Sequence, residues 1–218
     1  MELIHVVSSL VIIFTFCNFT TGLQICIRIW KKKSTQDFAA FPFIAGFLCT
    51  FLGLRYGLVI HDSVTIFVNS IGLAVFTFYV LFYYHFTLNK RSINLKIGVL
   101  IVVVLLFELA IGHQENPRTL SGIIASISGV VFSGSPMTSI SQVVRDKNAG
   151  ILPFWLILST AVVALLWFAY GFLIGDAFIQ ISNSLAVLLA VFQLSLFVFY
   201  PPQSKYKDFE KQLLMENL

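Results

Sequence analysis

Hydrophobic positions in this chain gather into seven long stretches, about 4–27, 40–60, 64–86, 95–112, 120–143, 152–174 and 178–200. Each approaches the roughly 20 apolar residues an α-helix needs to cross the hydrocarbon layer. The pattern therefore predicts an all-α integral membrane protein of seven transmembrane helices. The fourth stretch is the shortest and contains Glu108. Outside these stretches lie only short loops and a tail, 203–218, that mixes Lys and Glu and is read as a disordered cytosolic segment. No length remains for a soluble catalytic domain.

The polar and turn residues repeat. Lys33 recurs as Lys147, Tyr56-Gly57 as Tyr170-Gly171, Asp62 as Asp176 and Asn69-Ser70 as Asn183-Ser184, each pair 114 positions apart (147 minus 33, 170 minus 56, 176 minus 62, 183 minus 69). A duplicated unit over 5–86 and 119–200 follows. Three helices end on the side opposite their start, so one linking helix, 95–112, is needed to bring the second copy into the same orientation. The expected architecture is thus two parallel three-helix repeats joined by a single helix, 3+1+3. Internal repeats in a membrane chain point to transport, with the site between the halves.

Charge orients the bundle. With the amino terminus outside, inner segments hold twelve of the fourteen basic residues, leaving only Arg55 and Arg118 outside. The positive-inside rule then puts the amino terminus out and the carboxyl terminus in the cytosol. The plasma membrane is the expected location. A net charge of +4 with 58% hydrophobic and 11% charged residues needs no nucleic acid to explain it; anionic lipid beside the inner loops suffices. The first stretch has an acidic start and no small-x-small cleavage site, so it reads as a retained helix. Cys17, Cys26 and Cys49 fall within spans and are expected to be free thiols. The Asn18-Phe19-Thr20 sequon lies within the first span, out of reach of glycosylation.

Asn69 and Asn183 are the sharpest candidates for ligand contact. Each lies about six residues into a span entered from outside, roughly 9 Å deep. An amide donates and accepts without charge, which suits a neutral polyhydroxylated ligand; the alternative is an interhelical hydrogen bond. Trp167 stands opposite Gly53 in the repeat register, giving a lopsided slot whose aromatic face suits the C–H side of a sugar ring. Its alternative is an interfacial belt residue. Tyr56 and Tyr170, with Asp62 and Asp176 six residues on, mark the outer helix ends, either as a gate with Arg55 as counter-charge or as headgroup-level tyrosines before polar turns. Pro42, Pro136 and Pro153 occupy inner halves of helices, with Gly22 in register with Pro136; they mark either hinges or plain helix ends. Glu108 is either a proton-coupling group or a structurally paired acid. The four histidines form no metal cluster, and no nucleophile–base pair or phosphate loop is present, so no cofactor and no enzymatic activity are expected.

These residues resemble the SWEET sugar transporters, the MtN3/saliva family. The run Arg28 to Thr35 is similar to that family's basic first loop. Pro42-Phe43, Arg55-Tyr56-Gly57 and Asn69-Ser70-Ile71-Gly72 are similar to the rest of its first unit. Ser135-Pro136, Pro153-Phe154, Trp167 to Gly171, Asp176, Asn183, Gln193 and Tyr200-Pro201 carry the resemblance through the second. It covers about 20–200. Thr21-Gly22-Leu23 looks more like animal members than plant ones. The resemblance implies a 3+1+3 carrier of mono- or disaccharides working by alternating access. It implies substrate contacts at Asn69, Asn183, Trp167 and Gly53, an outer gate at Tyr56, Tyr170 and Asp176, and an inner proline hinge. It also implies a tendency to homo-oligomerise. The chain departs from the pattern at Gly22, where many members carry proline, at Gly53, and at Ala186.

The expected function is passive uniport of a sugar, a hexose such as glucose, since Trp167 fills half the slot and neither repeat offers a midplane carboxylate. Two rivals remain. A seven-helix receptor shares the helix count, but the repeat, the short loops and the missing outer cysteine pair oppose it. A PQ-loop carrier of another solute, with or without proton coupling, is opposed because Pro136 precedes Met137 and Pro153 precedes Phe154.

Overall fold

The computed structural model describes residues 2–202, and every regular element among them is helical. The expected tail, 203–218, lies outside the described residues. α1 (Glu2–Phe19) and α2 (Thr21–Lys32) form one bent span, followed by α3 (Phe41–Ile60) and α4 (Ser63–Phe86). α5 (Lys90–Gly112) links to the second unit. That unit contains α6 (Pro117–Ser133), α7 (Ile140–Asp146), α8 (Phe154–Leu173) and α9 (Ala177–Phe199). The span expected as unbroken over 120–143 is interrupted: a 3₁₀ turn, Ser135–Ser139, separates α6 from α7. Pro136 causes this, because it has no N–H and its ring clashes with the preceding turn. Among the described residues six spans, the bent α1–α2 span included, are long and apolar enough to cross a membrane, and the one interrupted at Ser135–Ser139 makes seven.

The duplication is written in the backbone. The positive-φ residues among those described are Lys33 (52°), Lys147 (47°), His61 (55°) and Gly175 (68°), which form two pairs 114 apart. Lys33 and Lys147 end α2 and α7; His61 ends α3, and Gly175 stands at the matching place after α8. Asp62 then caps α4 through Thr65 N (2.8 Å), and Asp176 caps α9 through Ile179 N (3.0 Å). An N-cap carboxylate satisfies a backbone donor that the helix start leaves free. Gly57 and Gly171 make these corners tight. A Cβ on either would lie 2.9 Å from Thr65 Cγ2 or 2.8 Å from Ile179 Cγ2, again equivalent atoms.

Around the bundle, α1 meets α4, α4 meets α3, α3 meets α6, α6 meets α9, α9 meets α8 and α8 meets α1. Six spans close a ring in which the third helix of each unit lies between the first two. The units join through α3–α6 and α1–α8, which the duplication makes equivalent. α5 lies against α3 and α6, outside the ring. Its buried residues Ile93, Leu100, Phe107 and Ile111 form a stripe, whereas Leu95, Val99, Leu106 and Leu109 are more than half exposed. Lipid is the solvent that tolerates such a face.

Two apolar clusters hold the ends near Lys33 and Lys147, here termed the lysine end. In the first unit Ile29, Phe43 and Phe76 pack together; in the second their equivalents Val143, Ile157 and Ala190 do. Apolar burial alone drives little association between helices in lipid, so close fit and buried polar bonds matter more. Tyr83 donates to the Phe38 carbonyl at 2.7 Å in this region.

Candidate functional site

A cavity of about 180 Å³ lies at the centre of the ring, where both units contribute walls. Asn69 and Asn183 are the seventh residues of α4 and α9, so the two Asp caps set them at one depth. Each amide spends one N–H on its own helix: Asn69 Nδ2 donates to Thr65 O at 2.9 Å, Asn183 Nδ2 to Ile179 O at 2.8 Å. This fixes both side chains and leaves an acceptor oxygen and a second N–H on each. Gly53 gives Asn69 its room, since a Cβ there would fall 2.5 Å from Asn69 Oδ1. Across the cavity Trp167 donates Nε1 to Thr15 Oγ1 (3.1 Å) and stands edge-on to Tyr170, with ring centroids 5.7 Å apart.

The described lining includes Thr50, Ser126, Ser133, Thr160 and Ser182 as well, with no Asp, Glu, Lys, Arg or His among its residues. Hydroxyls and amides set between aromatic and small apolar surfaces make a neutral, hydrogen-bonding pocket. Such a pocket fits an uncharged hydroxylated ligand and gives an ion no counter-charge.

The end of the cavity near the Asp62 and Asp176 corners, the tyrosine end, is spanned by two bonds exchanged between units. Tyr56 donates to Asp176 Oδ2 at 2.6 Å, and Tyr170 donates to Asp62 Oδ1 at 2.6 Å. Both tyrosines and Asp176 are buried, and Asp62 is half-buried. The same carboxylates that start α4 and α9 thus lock the opposite unit. The locks are unequal: Arg118 Nη2 also donates to Asp176 Oδ2, at 3.1 Å.

Arg55, expected as the gate's counter-charge, is elsewhere. It faces α5, where Nη2 donates to Glu108 Oε2 at 2.8 Å and Nε lies 2.6 Å from Oε1 in the same ion pair. α3 ends within reach of α5 at that depth, and the Glu108 carboxylate there gives the guanidinium a charge-assisted hydrogen bond. The cation that pairs with Asp176 is Arg118, from the start of α6.

At the lysine end a second cavity of about 90 Å³ touches Gly22, Pro42 and Pro136. Pro153 is not in its lining; it is the N-cap of α8. The two cavities share Asn18, Phe19, Phe132, Ser133 and Thr160 in their linings. Asn18 joins the units here, accepting from Ser159 Oγ at 2.9 Å and donating to Thr160 Oγ1 at 3.5 Å. Asn18, Thr15 and Arg118 escape a search for repeated residues because their equivalents are Phe132, Gly129 and Ile4. A polar Asn within an apolar span is the signal Asn18 offers.

A neutral cavity between two parallel three-helix units, with reciprocal Tyr–Asp bonds at one end and helix breaks at the other, defines a seven-helix membrane carrier. The family described as "Sugar efflux transporter for intercellular exchange" matches residues 5–91 and 119–205. The chain is 40% identical over 205 residues to the sugar transporter SWEET1 of Drosophila pseudoobscura pseudoobscura, covering 92% of this chain and 91% of that protein. It is 30% identical to the bidirectional sugar transporter SWEET12 of Oryza sativa subsp. japonica, over 88% of this chain and 67% of that one. A solved eukaryotic SWEET transporter superposes with a TM-score of 0.78 at 26% identity, covering 90% of this chain and 96% of that one. The chain belongs to the SWEET (MtN3/saliva) family, which is one of transporters and not of enzymes.

Proposed function

We propose that this protein carries a neutral sugar, a hexose, down its gradient through the central cavity, with Asn69, Asn183 and Trp167 as the substrate contacts and Gly53 as the space beside them. The observation that carries the reading is the lining itself: amides, hydroxyls and an indole face, with no charged side chain among the described lining residues. The names of the relatives, sugar transporters and a bidirectional sugar transporter, agree with it.

Alternating access follows from the two ends. Reciprocal Tyr–Asp bonds close the tyrosine end, and release of both lets the units 5–86 and 119–200 part there. The breaks near Gly22 and Pro136, together with Pro42 and Pro153, let the lysine end close in turn. Concentrated Lys and Arg at that end support a cytosolic placement, with the amino terminus outside and the plasma membrane as the site of action. Glu108 is held by Arg55 and is absent from the cavity lining, which supports uniport over proton coupling.

The test is hexose uptake into liposomes with and without an imposed proton gradient. Uniport predicts the same equilibrium level in both. Accumulation above the external concentration, driven by the gradient, would contradict it.

A further inference from the structure

The two helix breaks are mended the same way by different residues. At the first, Thr20 N reaches back to Phe16 O (3.3 Å) and Leu23 N turns to Thr20 O (3.0 Å). At the second, Gly134 N bonds Val130 O (2.9 Å) and Met137 N bonds Gly134 O (2.8 Å). These are equivalent atoms under the 114-residue register. An unbroken α-helix would place Leu23 N on Phe19 O and Met137 N on Ser133 O. Both carbonyls lose that donor, and Pro136 has no N–H to offer Ser133 in its place.

A carbonyl released within an apolar span must find a donor, and each does. Tyr79 donates its hydroxyl to Phe19 O at 2.8 Å, and Gln193 donates Nε2 to Ser133 O at 3.3 Å. Tyr79 and Gln193 are themselves 114 apart, both come from the third helix of their unit, and they are 1% and 2% exposed. A phenol and an amide share little except a donor at the end of a long side chain. What the two units have in common is that donor.

The choice of side chain also accounts for Gly22. A Cβ at position 22 would lie 2.5 Å from Tyr79 Cε2, so the ring leaves no space for the proline found at the equivalent Pro136. The second unit, braced by the slimmer Gln193, has that space.

We propose that Tyr79 and Gln193 are positioning residues of the transport cycle. Each holds the carbonyl its break releases, so that α2 and α7 swing about joints whose lost backbone bonds are already replaced. Gly22 with Tyr79 and Pro136 with Gln193 are two matched solutions to one joint. This rests on the alternating-access reading above.

The experiment is hexose exchange in liposomes by purified Tyr79→Phe, Gln193→Met, Gly22→Pro and the double variant Gly22→Pro/Tyr79→Gln, with sugar binding followed separately by tryptophan fluorescence and folding by thermal melting. Tyr79→Phe keeps the ring and Gln193→Met keeps the volume, so each removes little but the donor. Maximal exchange is expected to fall about five- to tenfold in each, as loss of the one side-chain donor to a half-buried carbonyl implies. KM and sugar binding should hold at the wild-type values. Gly22→Pro should be inactive or unfolded, and the double variant, which copies the second joint into the first, should recover both folding and exchange. Wild-type exchange in Tyr79→Phe and Gln193→Met, a rise in KM that accounts for the whole loss, or a double variant no better than Gly22→Pro would each overturn the proposal. A wild type that binds and exchanges no hexose overturns the transport reading instead. The joint is then judged on melting, where the double variant must exceed Gly22→Pro.

Discussion

Replacing Tyr56 by Phe deletes one hydroxyl and leaves the ring, still edge-on to Phe178 with centroids 5.9 Å apart. What is lost is a 2.6 Å hydrogen bond to a carboxylate that is 2% exposed. Hydrogen bonds to charged groups contribute about 1.5–3 kcal/mol. Asp176 keeps two donors, Arg118 Nη2 at 3.1 Å and Ile179 N at 3.0 Å, so it is not orphaned and the lower part of that range applies. About 1.5 kcal/mol is roughly a tenfold change in the ratio of closed to open at the tyrosine end, since 1.4 kcal/mol is a factor of ten. Tyr170→Phe removes the equivalent bond to Asp62 and should act in the same direction. Cys49 lines the cavity and reports on it. In a Cys17→Ser/Cys26→Ser background, a membrane-impermeant thiol reagent added at the tyrosine end should label Cys49 about ten times faster in either variant. Labelling at the wild-type rate in both would refute the assignment of these bonds as the closure.

Four further outcomes follow from the geometry. Arg118→Ala should speed Cys49 labelling from the tyrosine end, whereas Arg55→Ala should leave it unchanged and lower the melting temperature; adding Glu108→Gln to Arg55→Ala should regain part of that loss, because an unpaired half-buried acid is what destabilises. Gly53→Ala should cut hexose uptake at least about tenfold with little change in melting, since its Cβ displaces the Asn69 amide at the site. Gly175→Ala should destabilise by about 1 kcal/mol through its φ of 68°, measured by thermal melting. His61→Gly, at the equivalent corner with φ 55°, should be neutral to stabilising by a similar amount.

What could be read from the chain was what repeats. Asn69 with Asn183, Tyr56 with Tyr170 and Asp62 with Asp176 stand out because two copies keep one spacing, and the same spacing fixes the 3+1+3 order of helices. The exchange of partners between units, Tyr56 to Asp176 and Tyr170 to Asp62, is a consequence of the two-fold arrangement and has no signature in either copy alone. Residues that differ between copies were harder to find. Arg118 and not Arg55 pairs with Asp176 because α6 starts beside Asp176 while α3 ends beside α5, a matter of packing and not of local pattern. Asn18 was hidden by its partner Phe132, and Trp167 was visible only because its partner is a glycine. The span drawn as continuous over 120–143 breaks at Pro136, where mean apolarity is unaffected but the backbone ladder is not.

The measurement that bears most directly on the central claim is uptake of radiolabelled glucose into liposomes holding the purified protein, beside Asn69→Ala and Asn183→Ala versions of matched folding. The cavity predicts equilibrating uptake in the absence of any ion gradient, abolished in both variants. Wild-type uptake in either Asn variant, or intact protein that moves no glucose or other hexose, would contradict it.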